Sequence, residues 1–161
     1  MKKDIGYTPI LIDSFANGYA SRMGNIISNN LERSRNGNSI EKFKSVSFDY
    51  EKDGDIVIFA QDKYNSQAEL QGSVAKTVGD TDIYYYSYTN KVVPADYELT
   101  DADKAAKANG DLVFSYGSAA VELNEIQSAT FVKDGMQYQL LQINGKLSGD
   151  ELVKMAEELV A

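Results

Sequence analysis

Phe131-Val132-Lys133-Asp134-Gly135-Met136-Gln137-Tyr138 sets an Asp-Gly dipeptide between two apolar-rich runs. That pair accepts the two positive φ angles a two-residue hairpin turn demands, so a strand is predicted on either side of it. Downstream, Ser148-Gly149-Asp150-Glu151 has the form of a capping box. In such a box the Ser148 hydroxyl accepts from the backbone N–H of Glu151, and the Glu151 carboxylate accepts from the backbone N–H of Ser148. Leu152, Met155, Ala156 and Leu159 then recur at helical spacing. One face of this helix must be covered, and the sheet just before it is the nearest surface able to do so. Ala119 to Val160 thus reads as strand, tight turn, strand and a closing amphipathic helix.

Working outward, the pattern aromatic-x-Lys-Asp-Gly also occurs at 50–54. Val46, Phe48 and Tyr50 alternate with Ser45, Ser47 and Asp49 before it, which is strand period. Ile56-Val57-Ile58-Phe59-Ala60 returns from that turn apolar on both faces, and is expected to be central and covered on both sides. One or two strands are expected within Gln67–Val78. Gly79-Asp80-Thr81-Asp82 turns the chain into Ile83-Tyr84-Tyr85-Tyr86-Ser87-Tyr88, its most β-prone run. Thr100 is placed to cap a helix over Asp101–Asn109, with Gly110 at its C′ position. Asp111–Tyr116 returns as a strand, and Gly117-Ser118 turns.

Upstream the pattern is weaker. Residues 5–19 read as extended and looped, with Thr8 held out of helix by Pro9 and a turn at Asn17-Gly18. Tyr19–Ile27 fits a strand or, as the alternative, Asn25–Arg33 fits a short helix, while Asn29-Asn30 and Arg35-Asn36-Gly37-Asn38 read as polar loop. Short turns favour antiparallel neighbours. The expected fold is α+β: a curved, mainly antiparallel sheet with a C-terminal helix packed on one face and a short surface helix near 101–109. A single domain over 1–161 is expected, looped and extended over 1–42, with sheet and C-terminal helix over 43–161.

At 161 residues the chain can bury a core without staples. A hydrophobic share of 43% with 25% charged residues argues against disorder. A formal net charge of −8 and the lack of any basic stripe argue against nucleic acid as a partner, and the same charge repels anionic membrane surfaces. With no Cys and no His there is no disulfide framework, thiolate nucleophile, imidazole base or thiolate- or histidine-ligated metal site. Met1-Lys2-Lys3-Asp4 starts like a signal peptide, but Ile10-Leu11-Ile12 is too short for the apolar core of one. No run of about 18 apolar residues spans a bilayer, so no membrane insertion by this chain is expected.

Tyr84, Tyr86 and Tyr88 would share one face of a strand, with Tyr85 and Ser87 on the other. Three phenols in a row could stack sugar rings or grip a peptide. The same alternation fits a row covered by a helix or loop, with the hydroxyls reaching the rim. Asp80 with Asp82, and Asp101 with Asp103, lack the alternate-position ligands, glycine and distant acid of a calcium loop. The latter pair fits the charge of a helix N-terminus, and Asp53 and Asp55 belong to a turn. A carboxylate pair of glycosidase type depends on spacing in space and finds no local support. Ser39 to Lys42 and Ser73 to Lys76 match Ser-x-x-Lys, without the Ser-Asp-Asn or Lys-Thr-Gly partners of penicillin-recognising enzymes. No catalytic residue, metal ligand or cofactor site is assigned.

Gly6-Tyr7-Thr8-Pro9, Phe15-Ala16-Asn17-Gly18-Tyr19, Tyr50-Glu51-Lys52-Asp53-Gly54, the hairpin at 131–138 and Asp150-Glu151-Leu152-Val153-Lys154-Met155-Ala156-Glu157-Glu158 together resemble an uncharacterised bacterial family. It is a domain of unknown function forming the extracytoplasmic part of anti-sigma-factor-like, single-span membrane proteins. Members often carry Trp where this chain has Phe131. The resemblance implies a membrane anchor N-terminal to the domain and a position outside the cell membrane. It also implies a non-enzymatic sensory or binding role toward a protein or cell-envelope ligand. The alternative is a lipoprotein-carrier-like domain that holds an apolar ligand between sheet and helix. A large apolar pocket there would favour it.

Overall fold

The computed structural model describes residues 7–33 and 40–161. Met1–Asp4 and the loop expected at Arg35–Asn38 lie outside these. The described elements are β1 (Ala20–Arg33), β2 (Ile40–Lys52), β3 (Asp55–Lys63), β4 (Ser73–Val78), β5 (Thr81–Val93), α1 (Asp101–Asn109), β6 (Leu112–Tyr116), β7 (Glu122–Lys133), β8 (Met136–Ile143) and α2 (Gly149–Val160). They form one eight-stranded sheet in the order β1-β2-β3-β8-β7-β5-β4, with β6 also paired to β5. The class is α+β. All pairings are antiparallel except β5 with β6, which α1 joins as a single parallel crossover. The far side of β5 is shared: β4 lies opposite Thr81–Tyr85 and β6 opposite Thr89–Val93.

The hairpins form where the Asp-Gly pairs stand. Asp53 and Gly54 have φ of 50° and 78°, and Asp134 and Gly135 have 51° and 74°, the left-handed pair such turns require. Because both strands of each hairpin are then in fixed register, every second residue falls on one side of the sheet. Val46, Phe48 and Tyr50 of β2, Val57, Phe59 and Gln61 of β3, Tyr138 and Leu140 of β8, Ala129 and Phe131 of β7, and Ile83 of β5 are buried on that side. Leu152, Met155, Ala156 and Leu159 of α2 join the same cluster. The capping box forms as expected: Ser148 N–H donates to Glu151 Oε2 at 2.8 Å and Glu151 N–H to Ser148 Oγ at 3.3 Å.

Residues 7–19 cover the β2–β3 end of this side, with Phe15 and Tyr19 buried. Gln61, wholly buried, holds them as a ladder partner would. Its Oε1 accepts from Ile10 N–H at 2.7 Å and its Nε2 donates to Ile10 C=O. Tyr50 Oη donates to Ile12 C=O at 2.9 Å.

Three expectations are corrected. The sheet starts at Ala20, before residue 43, so of the two alternatives the strand over Tyr19–Ile27 holds and the helix over Asn25–Arg33 does not. β1 pairs antiparallel along β2, so Asn29 and Asn30 lie opposite Phe43 and Lys42 instead of in a loop. A ladder of this length outweighs a weak helical period. β1 could not be crowded by a side chain at Gly24, where a Cβ would lie 2.9 Å from the Phe48 ring. Ile56–Ala60 is central in the sheet but covered on one side only, with Ile56 36% exposed and Ile58 and Ala60 half-buried. Within Gln67–Val78, one strand forms, starting at Ser73.

The space between sheet and α2 is filled by wholly buried side chains, among them Phe59, Phe131, Leu140 and Leu152. Replacing Leu152 with Ala removes atoms from that filled interface. Urea unfolding should then show a stability loss of about 3 kcal/mol with an unchanged m-value.

Candidate functional site

Tyr84, Tyr86 and Tyr88 stand on the side of the sheet away from the helices, opposite Thr130, Ser128 and Ile126 of β7. All three are half-buried, and the Tyr86 and Tyr88 rings lie 5.1 Å apart. Tyr86 Oη reaches Gly110 C=O at 3.4 Å. Tyr85 points the other way, toward α2. Its Oη donates to Gln127 Oε1 at 2.9 Å, and a Cβ at Gly149 would lie 2.7 Å from its ring. The contacts of α2 are with β4, β5, β7 and β8 through the core side. α1 is tied to that same side through Lys91. Neither helix packs over the tyrosine row.

The row shares its side of the sheet with partly exposed apolar residues and with the buried Ser128. One cross-strand line runs Met23, Asp49, Ile58, Leu141, Ser128, Tyr86 from β1 to β5. Beside it, Ile143 is paired with Ile126, itself opposite Tyr88. Ile143 is 48% exposed.

On the core side a polar hub forms that local sequence reading missed. Asp55, read there as a turn residue, is buried. Its Oδ2 accepts from Tyr19 Oη, from Gln142 Nε2 at 2.9 Å and from Lys146 N–H at 3.1 Å. Gln142 Oε1 in turn accepts from Gln127 Nε2 at 2.9 Å and Leu147 N–H at 3.3 Å. Nothing near Asp55 in the chain signals partners 36 and 87 residues away. Burial, with the hydrogen bond to Asp55 second, pushes the Tyr19 phenol up to about 12. The hub fixes the loop that leads into α2. A shallow cleft of about 300 Å³ beside it, lined by Tyr85, Ser87, Glu125, Gln127 and Leu147, has Tyr85 and Gln127 bonded to each other.

The sequence-level acids resolve into structural roles. Asp103 is the N3 residue of α1 and closes a second capping box with Thr100. Its carboxylate also accepts from Lys91 Nζ at 2.8 Å and Tyr97 Oη at 2.7 Å. Those two bonds hold the Asp103 carboxyl well below the usual carboxylate range and raise the Lys91 ammonium. Asp82 accepts from Thr77 Oγ1 at 2.7 Å, and Asp101 is exposed at the start of α1. Ser73 and Lys76 lie on the exposed strand β4 rather than on a helix, and Ser39 lies outside the described residues. Among the described residues no group of three or more Asp or Glu side chains is placed to hold a metal ion, and no helix is long and apolar enough to cross a membrane.

No protein-family model matches this chain, and neither a curated protein nor a solved structure matches it.

A carboxyl depressed in the folded state stabilises fully above its unfolded value, about 4, and that contribution fades as pH falls toward the folded value. Melting temperature should therefore drop below about pH 4, and Asp103→Asn should flatten part of that drop while lowering stability at neutral pH. The Tyr19 phenol behaves in the opposite sense. Its contribution is whole below about pH 10 and lost as pH rises toward 12. Tyr19→Phe should remove that part of the alkaline melting profile.

Proposed function

We propose that this chain is a non-enzymatic sensory or binding domain of a membrane-anchored, anti-sigma-factor-like regulator. It works outside the cell membrane, and its binding surface is the face of Tyr84, Tyr86 and Tyr88. One observation carries the binding reading: neither helix packs over that face, so the three neighbouring, half-buried phenols keep part of their ring surface open to a ligand, with the Tyr86 hydroxyl alone already bonded, to Gly110 C=O. The extracytoplasmic and regulatory parts rest on the resemblance of the turn, cap and helix motifs.

The buried carboxylate Asp55 serves the fold in this reading, since its Oδ2 is taken by three donors of the fold itself. A curved sheet is part of the same reading. Register shifts between Ser21 and Met23 and between Val74 and Lys76 are of the kind that bend a strand and add local twist. The carrier alternative asks for an empty apolar space between sheet and helix. Side chains of Phe59, Leu140, Leu152 and Met155 occupy it, so the sensory reading is preferred.

The test uses the full gene product in its own cells, with a sigma-dependent reporter and protease added to intact cells. The domain should be cleaved from outside. Replacing Tyr84, Tyr86 and Tyr88 together with Ser should shift the reporter response without changing the amount of protein. Each removed cross-strand contact costs roughly 0.2–1 kcal/mol, so the purified variant should stay folded by circular dichroism. Cleavage only after lysis, or an unchanged reporter with a folded variant, would sink the proposal.

A further inference from the structure

We infer that the tyrosine-bearing face docks a cationic polypeptide, one that sets lysine or arginine among apolar side chains. This deepens the binding reading above and rests on it.

The strand lysines are sorted by side, while the strand acids divide, with Asp55 and Glu125 on the helix-covered side. Lys44, Lys52, Lys63, Lys76, Lys91 and Lys133 all fall, by register, on the helix-covered side. Three of them visibly bond there: Lys52 Nζ to Asn17 C=O at 2.7 Å, Lys91 Nζ to Asp103 at 2.8 Å and Lys133 Nζ to Val160 C=O at 2.9 Å. The opposite side receives Asp49, Glu51, Asp62, Asp82 and Glu122, as the pairings Asp49 with Ile58, Glu51 with Ile56, Asp62 with Gln137, Asp82 with Thr77 and Glu122 with Val92 require. Arg22 reaches Glu51 at 2.8 Å. Among the described residues, Asp49, Asp62, Asp82 and Glu122 have no ion-pair partner.

Between these acids no helix covers the sheet; Ser47, Ile126, Ser128 and Thr130 are buried there among their neighbours, and larger apolar side chains are left in the open. Ile56 and Ile143 are 36% and 48% exposed, and the tyrosine rings continue the band toward β4. In the line from Asp49 to Tyr86, four strand steps span roughly 19 Å at the usual strand spacing, which an extended segment of about six residues matches. A basic apolar segment would bury the isoleucines, set its cations against the acids and lay them over the phenol rings, where a cation is attracted to the π-face. A second copy of this face would bring acid against acid, and a phosphate-rich ligand would meet the same repulsion.

The probe is a short synthetic peptide in which lysine alternates with leucine and tyrosine, titrated into the purified full chain by fluorescence anisotropy and two-dimensional NMR. Two variants carry the same change in net charge: Asp49→Asn with Asp82→Asn and Glu122→Gln on this face, and Glu69→Gln with Asp96→Asn and Glu98→Gln on exposed loops. The first should weaken binding about tenfold or more and the second less than about twofold. Shift changes should gather on β5, β7 and β8. Absent binding, equal weakening in both variants, or shifts confined to the helix side would overturn the inference. So would occupation of this face by a neutral oligosaccharide, or a concentration-dependent dimer that the triple tyrosine variant abolishes. A failed peptide titration beside an intact reporter effect would overturn the cationic partner and leave the binding reading standing. An unchanged reporter beside successful peptide binding would overturn the regulatory role and leave the peptide-binding face standing.

Discussion

Everything in this chain depends on seating one apolar helix stripe against one side of a sheet. Leu152, Met155, Ala156 and Leu159 cannot remain in water without cost, and the side of the sheet carrying Phe59, Leu140 and Phe131 offers the matching surface. Register then decides all else. Two Asp-Gly turns fix which residues of β2, β3, β7 and β8 face inward. A slip of one residue would turn Phe59 and Leu140 to solvent and bring Ile58 and Leu141 inside. Specification of the hairpins is therefore specification of the two faces.

A buried polar hub secures the entry to that helix. Asp55, Gln142 and Gln127 link strands far apart in sequence and tie down the backbone of Lys146 and Leu147 just before the Ser148 cap. Buried polar groups of this kind tolerate few alternatives, because removing one partner leaves the others unsatisfied. Where the apolar stripe supplies the driving force, this network restricts the angle at which the helix can arrive. Gln61 plays a comparable part for residues 10–12, giving the N-terminal stretch a ladder-like grip without a strand.

Local chemistry was legible where a short motif carries its own geometry. Both Asp-Gly turns, the Ser148 and Thr100 caps, the α2 stripe, and the placing of Tyr85 opposite to Tyr84 and Tyr86 follow from dipeptide, capping and pleat rules alone. The α+β class followed from them. What failed was information held in partners. Asn29 and Asn30 look like loop residues until β2 runs alongside them. Ile56 and Ile58 look like a core strand until one side is found without a covering element. β6 pairs parallel through a crossover that its short sequence does not announce. Asp55 sits in a turn motif and gains its role only from Tyr19 and Gln142. The gathering of the strand lysines on one face also depends on register, although their period-two positions within each strand already carry part of it.

The divided edge of β5 has a mechanical consequence. Tyr86, Ser87 and Tyr88 face neither β4 nor β6, so the two short strands form separate hydrogen-bonded zippers with a break between them. Detachment of β6 together with α1 would not unzip β4, and fraying of β4 would not unzip β6. That margin of the protein can breathe in two independent pieces while the β3-β8-β7 centre stays closed, and the break between the pieces lies beside the aromatic row.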